Sequence, residues 1–115
     1  MLHYLLIIRP GTPETTVPPP DAQVERMKVL MKEMTMAGAL LAFEGCLPTA
    51  HGAKLRYDPS GEHHIVDGPF SDLKQIVGGV MLVQAKTKAD AVGWAKKLLT
   101  ELGEGEIEVR LLASS

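Results

Sequence analysis

Two short segments of the chain each consist of four consecutive apolar residues, and these segments limit the folds that the chain can adopt. They are Leu5-Leu6-Ile7-Ile8 and Val80-Met81-Leu82-Val83. Apolar runs of this length predict β-strands, and neighbouring side chains in a strand point to opposite faces of the sheet. Both faces therefore have to be buried, but one layer of helices covers only one of them. We expect a second copy of the chain to cover the other face.

The order of the predicted elements indicates the architecture. Short apolar runs bounded by Gly and Pro predict strands at 2–8, 39–43, 80–85 and 107–112. The turn pattern Asp58-Pro59-Ser60-Gly61 predicts that two further short strands, 53–57 and 62–66, form a hairpin. One amphipathic helix begins at an Asp21 cap and ends at Gly38. A second helix begins at the capping box Thr87–Asp90 and ends at Gly103. This β-α-β, hairpin, β-α-β order predicts a ferredoxin-like α+β fold, with a mostly antiparallel sheet and two helices on one face.

Composition excludes several classes of protein. The 115 residues predict one domain over 1–115. The 12 Lys and Arg against 14 Asp and Glu give a net charge of −2, so we expect no nucleic-acid partner. A single cysteine, Cys46, forms no intrachain disulfide and is typical of a reducing cytoplasm. We find no apolar run of about 18–20 residues and no signal peptide, so we expect a cytoplasmic protein without membrane contact.

Two acids are the candidate catalytic residues. Asp67 ends the predicted hairpin, where a carboxylate could act as a general base or anchor a ligand. The alternative is an Asx-type turn in which Asp67 bonds the backbone. Glu44 follows an apolar strand and could line a cavity, or it could simply be a solvated strand end.

The other candidate ligand-binding residues surround Asp67. Gly68 and Pro69 shape a tight corner, and Phe70 is expected to be an anchor in the core or in an interface. Lys74 could pair with one of the two acids or position an anion, although an exposed lysine is the more common case.

We expect the pocket to lie between the sheet and the first helix. Glu44 and Asp67 both stand where a strand gives way to a corner containing glycine, and the hairpin is expected to return to the same sheet. Flexible methionines would form the apolar wall of the pocket, although methionines of this kind more often fill a core. They are Met27, Met31, Met34 and Met36.

The sequence carries no signal for a metal or a cofactor. Adjacent residues His63 and His64 point to opposite faces of a strand, and we find no further ligands with metal-binding spacing beside them. The Gly78-Gly79 pair matches no nucleotide-binding fingerprint. We therefore predict no metal site and no cofactor.

The segment Asp67-Gly68-Pro69-Phe70, followed by Lys74 and Gly78-Gly79, resembles the signature of the YCII-related family, in the subgroup named after its DGPF motif. Further matching features are the long helix ending at Gly38, Glu44-Gly45, the pair Trp94-Ala95 in the second helix, and the last strand, 106–110. The resemblance implies a dimeric α/β barrel in which each subunit is a ferredoxin-like layer.

The resemblance does not supply a mechanism. Family members are often proposed to use a His early in the first helix and an Asp near its end, but these positions fall near Met27 and Met36 here. We therefore expect a homodimer that binds a small molecule. One alternative is a cofactor-free lyase or isomerase that uses Asp67 or Glu44 as general acid or base. Another is a regulatory interaction module associated with transcription.

Overall fold

A computed structural model describes residues 1–114. Its strands and helices are, in order, β1 Leu2–Arg9, α1 Asp21–Met36, β2 Leu40–Gly45, β3 Ala53–Tyr57, β4 His63–Asp67, β5 Gly79–Ala85, α2 Lys88–Leu102 and β6 Glu106–Leu111. Single 3₁₀ turns lie at Thr49–His51 and Leu73–Gln75. The predicted elements are all present, with ends shifted by one or two residues.

The main sheet has the strand order β2-β5-β1-β6, and all its neighbouring pairs are antiparallel. Helix α1 connects β1 to β2, and α2 connects β5 to β6. In each case one other strand of the sheet lies between the two connected strands, which is the connectivity of a ferredoxin-like fold. Buried residues of both helices join alternate residues of β1 and β5 in one core. The predicted α+β architecture with an antiparallel sheet is confirmed.

The expectation that the hairpin returns to the same sheet is wrong. Strands β3 and β4 pair only with each other and form a separate two-stranded sheet. The chain leaves β2 at Gly45, makes the turn at Thr49–His51, and comes back to the main sheet only at Gly79. Because β5 lies between β2 and β1, the hairpin has no place inside the main sheet.

The consecutive apolar residues of β1 do point to opposite faces. Leu6 and Ile8 lie in the core beneath the helices, whereas Leu5 and Ile7 are only half-buried on the other side. Strand β5 repeats the pattern, with Met81 fully buried between half-buried neighbours. The side of the main sheet away from the helices therefore keeps an apolar surface.

The helix ends agree in part with the predicted caps. Thr87 accepts a hydrogen bond from the Asp90 amide, and Gly103 ends α2 at a φ of +79°, where glycine is favoured. Asp21, however, is the first residue of α1 and not its cap, because Pro20 occupies that position and the Pro20 carbonyl accepts from the amides of Gln23 and Val24. Neither described helix combines the length and the apolar content that crossing a bilayer requires.

Candidate functional site

The open face is the side of the main sheet away from the helices. Strand register places its side chains in rungs. One rung runs Glu44, Val80, Ile7, Glu108, and the next runs Ala42, Leu82, Leu5, Arg110. The middle of these two rungs is apolar and half-buried, and their charged residues lie on the edge strands β2 and β6. A surface with an apolar centre and polar edges is typical of a ligand pocket or an interface.

Arg9 organises one end of the open face. Its guanidinium donates to the Lys74 carbonyl at 3.1 Å and to the Glu108 carboxylate at 3.4 Å, and it lies 3.9 Å from Glu106. Arg9 thereby ties the segment after the hairpin to the sheet. Hydrogen bonds from Arg110 and Arg9 hold the pKa of Glu108 below its ordinary value. Sequence analysis missed Arg9, although an arginine that ends an apolar strand would have been a usable signal.

A groove of about 500 Å³ adjoins this end of the open face. Its lining includes Arg9, Lys74 and Glu106, together with the backbone of Gly11 and Gly105. The Lys74 amide donates to Asp72 and its carbonyl accepts from Arg9, so the backbone of this lysine is fixed. Its ammonium is exposed and pairs with neither Asp67 nor Glu44, in contrast to one of the predicted arrangements.

Glu44 lies on the open face and not in a pocket beneath the first helix. It pairs with Val80, which faces away from the helices, whereas its neighbour Phe43 pairs with buried Met81 and packs against the core. The expected position of the pocket is therefore wrong, because alternation along β2 turns the carboxylate to the other side of the sheet. Glu44 is exposed, and its rung is next to the one that contains Arg9.

The methionines of α1 contribute to the core. Met34 is fully buried, and Met27 and Met31 pack against the core from partly exposed positions. Met36 is 79% exposed. The core-packing alternative is therefore correct for the first three.

The corner at 67–70 is held by a polar contact that joins three parts of the chain. The carboxylate of Glu14 accepts from the Thr49 amide at 2.8 Å and from the Thr49 hydroxyl at 2.7 Å. The same hydroxyl accepts from the Phe70 amide at 2.8 Å. The Gly68 amide donates to the carbonyl of Gly52, and the Gly68–Pro69 peptide is cis. Glu14 was not singled out from the sequence, since nothing in its local pattern indicates so distant a partner.

The side chains of the corner have different surroundings. Phe70 is half-buried, and the Lys54 ammonium lies 4.4 Å from its ring centre. Lys54 also donates to the side chain of Gln75. Asp67 is exposed, and within residues 1–114 its carboxylate forms no hydrogen bond, so the Asx turn is absent. The corner and Glu44 belong to different sheets, and the structure does not join them in one cavity.

The hairpin turn contains a cluster that sequence analysis missed. Asp58 accepts from the amides of Ser60 and Glu62 and from the Ser60 hydroxyl, and its second oxygen lies 2.6 Å from Nε2 of His64. Potential metal-ligand atoms of Asp58, Glu62 and His64 lie within 4.8 Å of one another. The hydrogen bonds to Asp58 account for the arrangement as a turn, and the Gly61 amide closes it by donating to the Asp58 carbonyl.

Gly68→Ala is expected to destabilise the protein by about 1–3 kcal/mol, the usual cost of overpacking. A Cβ at this position would lie 1.7 Å from the Thr49 carbonyl oxygen, so the corner would have to move. Chemical denaturation measures the change. Gly93→Ala is the matched control, because a Cβ there meets nothing within 4 Å in the exposed middle of α2, and the substitution should be neutral or stabilising by up to about 1 kcal/mol. Equal effects of the two substitutions would contradict this account of the corner.

Asp58 is expected to make hairpin stability dependent on acid. The Ser60 hydroxyl, then His64 and the Glu62 amide, lower the pKa of Asp58 to about 2. Since the ordinary pKa of Asp is about 3.9, the charged carboxylate stabilises the folded chain above about pH 4, and this contribution is lost as the pH falls to about 2. The difference in melting temperature between the wild type and Asp58→Asn should shrink between these two pH values. A difference that is constant down to pH 2 would disprove the assignment.

Comparison with known proteins agrees with the fold. The model of the YCII-related domain matches residues 3–111. An uncharacterized protein from Rhizobium meliloti (strain 1021) is 30% identical over 95 residues, which are 81% of this chain and 76% of that protein. The family match spans both helices and all of the main sheet except its first residue, Leu2. The chain therefore belongs to the YCII-related domain family.

Proposed function

We propose that the protein is a homodimer of the α/β-barrel type that binds a small molecule at its open face, and that it belongs to the DGPF subgroup of its family. The observation that carries the proposal is the half-buried apolar centre of the open face, formed by Leu5, Ile7, Val80 and Leu82. An apolar sheet face beside an already complete helix layer favours a second sheet as its cover. The resemblance at the 67–70 corner supports the subgroup.

The proposed ligand site lies at the end of the open face where Arg9 is fixed. Glu44 and Lys74 are the predicted site residues that border this end, and their charges are opposite. Strands β2 and β1 are two strand spacings apart, on the order of 10 Å, so a small molecule could extend from Glu44 on β2 across β5 to Arg9 on β1. In this proposal Gly68, Pro69 and Phe70 act indirectly, by shaping the segment that carries Lys74.

Asp67 is a second candidate polar group of the site. Its carboxylate is exposed at the base of the hairpin and is not engaged within the described chain. The lyase or isomerase alternative has less support, because the histidine–carboxylate contact seen among the described residues joins His64 to Asp58 in the hairpin turn and includes neither Asp67 nor Glu44. A proton shuttle that uses Asp67 or Glu44 would have to recruit its second group from the substrate or from the other copy.

The wild-type protein is expected to sediment at twice the chain mass of 12.4 kDa. Leu82→Lys places a charge in the apolar centre of the open face and should produce monomers, because burying an unpaired ammonium is costly. The matched control is Val29→Lys on α1, where the side chain is 68% exposed; this variant should remain dimeric. A wild-type species of 12.4 kDa at micromolar concentration would refute the homodimer.

Anilinonaphthalene sulfonate, an apolar dye with one negative charge, is a probe for the ligand site. Lys74→Gln should weaken dye binding and Glu44→Gln should strengthen it, each by roughly twofold to fivefold, as expected for single surface charges. Fluorescence titration at low salt measures both effects, and high salt should reduce them. Lys32→Gln on the exposed side of α1 is the control. The proposed site is incorrect if neither Lys74→Gln nor Glu44→Gln differs from this control.

A further inference from the structure

The hairpin of β3 and β4, residues 53–67, is called the arm. Its register puts Leu55 opposite Ile65 and Tyr57 opposite His63, on the same face of the two-stranded sheet. Leu55, Tyr57 and Ile65 are between 65% and 69% exposed. Three large apolar side chains thus stand together in water on one face of the arm. An exposed cluster of this kind usually marks an interaction surface.

The molecule is elongated, and the two strands of the arm pair only with each other. The radius of gyration is 16.0 Å, whereas a compact chain of this length has a value of about 13 Å. The longest axis measures 48 Å and the shortest 17 Å. The polar contacts described above fix only the base of the arm, through Gly68, Lys54 and the turn at Thr49–His51.

An isolated hairpin is an unstable unit in water. A two-stranded sheet is marginal by itself and needs a third strand or a packed face for independent stability. The arm has the Asp58 turn at its tip and the Gly68 corner at its base, but its apolar face is uncovered by residues 1–114. The exposed apolar face of the arm is therefore suited to being covered in an assembly.

The size of the open face favours a second copy of the chain as the partner of the arm. Four strands at about 4.8 Å spacing, each with about six residues at about 3.3 Å per residue, outline roughly 20 × 20 Å, or about 400 Å² before side-chain relief. A standard stable interface buries about 800 Å² on each partner. The arm adds two strands of five residues, about 10 × 16 Å in outline. The outline of the open face alone is smaller than this area, and the arm supplies further exposed apolar area through Leu55, Tyr57 and Ile65.

We propose that the arm of each copy packs its Leu55, Tyr57 and Ile65 face against the second copy of the chain. This inference rests on the proposed homodimer and specifies how the dimer is held together. The two arms enlarge the interface that begins at the open faces. Because Asp67 lies at the end of the arm, its carboxylate is then positioned by the assembly as well as by its own chain.

The test uses the full-length chain with Leu55→Lys and Ile65→Glu combined. These residues are cross-strand partners, so the new charges attract each other and leave the hairpin itself intact. Val29→Lys combined with Met36→Glu is the matched control, because both side chains are exposed on α1. Sedimentation equilibrium should give a dimer dissociation constant at least tenfold weaker for the arm variant, and a control within twofold of the wild type. Circular dichroism checks that both variants are folded.

A second variant covers the case in which the charged pair prevents folding. Ile65→Thr retains a β-branched residue and should weaken the dimer by a smaller factor in the same measurement. If the wild type is dimeric and the arm substitutions leave its dissociation constant unchanged, the arm has another occupant, such as its own chain or a different protein. That result overturns this inference and leaves the dimer standing. A monomeric wild type overturns the proposed dimer and this inference together.

Discussion

The alternation of side chains along the two central strands is the constraint on which the rest of the structure depends. Leu6 and Ile8 of β1 face the helices, so Leu5 and Ile7 must face the other way. No change of register removes this apolar surface, because a slip by one residue only exchanges the two sets. The side of the main sheet under the helices is buried, with Leu6 of β1 and Leu98 of α2 fully buried. A folded single chain therefore keeps an apolar face that is only half-buried. Assembly and ligand binding are the two processes that cover such a face.

Two polar contacts control how the long segment between β2 and β5 leaves and rejoins the sheet. Glu14 and Thr49 hold the corner at Gly68, and Arg9 holds the backbone at Lys74. Both contacts use a charged side chain from one segment and amide or carbonyl groups from another, so each satisfies backbone groups that no strand pairs. These two contacts therefore fix the position of the segment before and after the hairpin. Between these contacts, the two strands of the arm pair only with each other.

Local pattern was sufficient for the elements and insufficient for the site. Short apolar runs, the Thr87 cap and Gly103 each carry their structural reason within a few residues, and the structure confirms them. The placement of Glu44 depended on which face of β2 it occupies, and a bulge between Leu40 and Ala42 shifts that register. Glu14 and Arg9 act on partners 35 and 65 residues away, a distance over which sequence spacing carries no information.

The motif at 67–70 has a physical explanation that does not require a ligand. Gly68 is needed because a Cβ would collide with the Thr49 carbonyl oxygen, and the Phe70 amide is needed to complete the Thr49 hydroxyl contact. The Asp67 carboxylate, by contrast, forms no hydrogen bond or ion pair within residues 1–114. Residues that build a corner and residues that present chemistry can thus be adjacent in one motif. The Asp67 carboxylate does not stabilise the turn, but the corner holds it in a fixed position. We therefore expect Asp67 to be the residue of the motif that contacts a ligand.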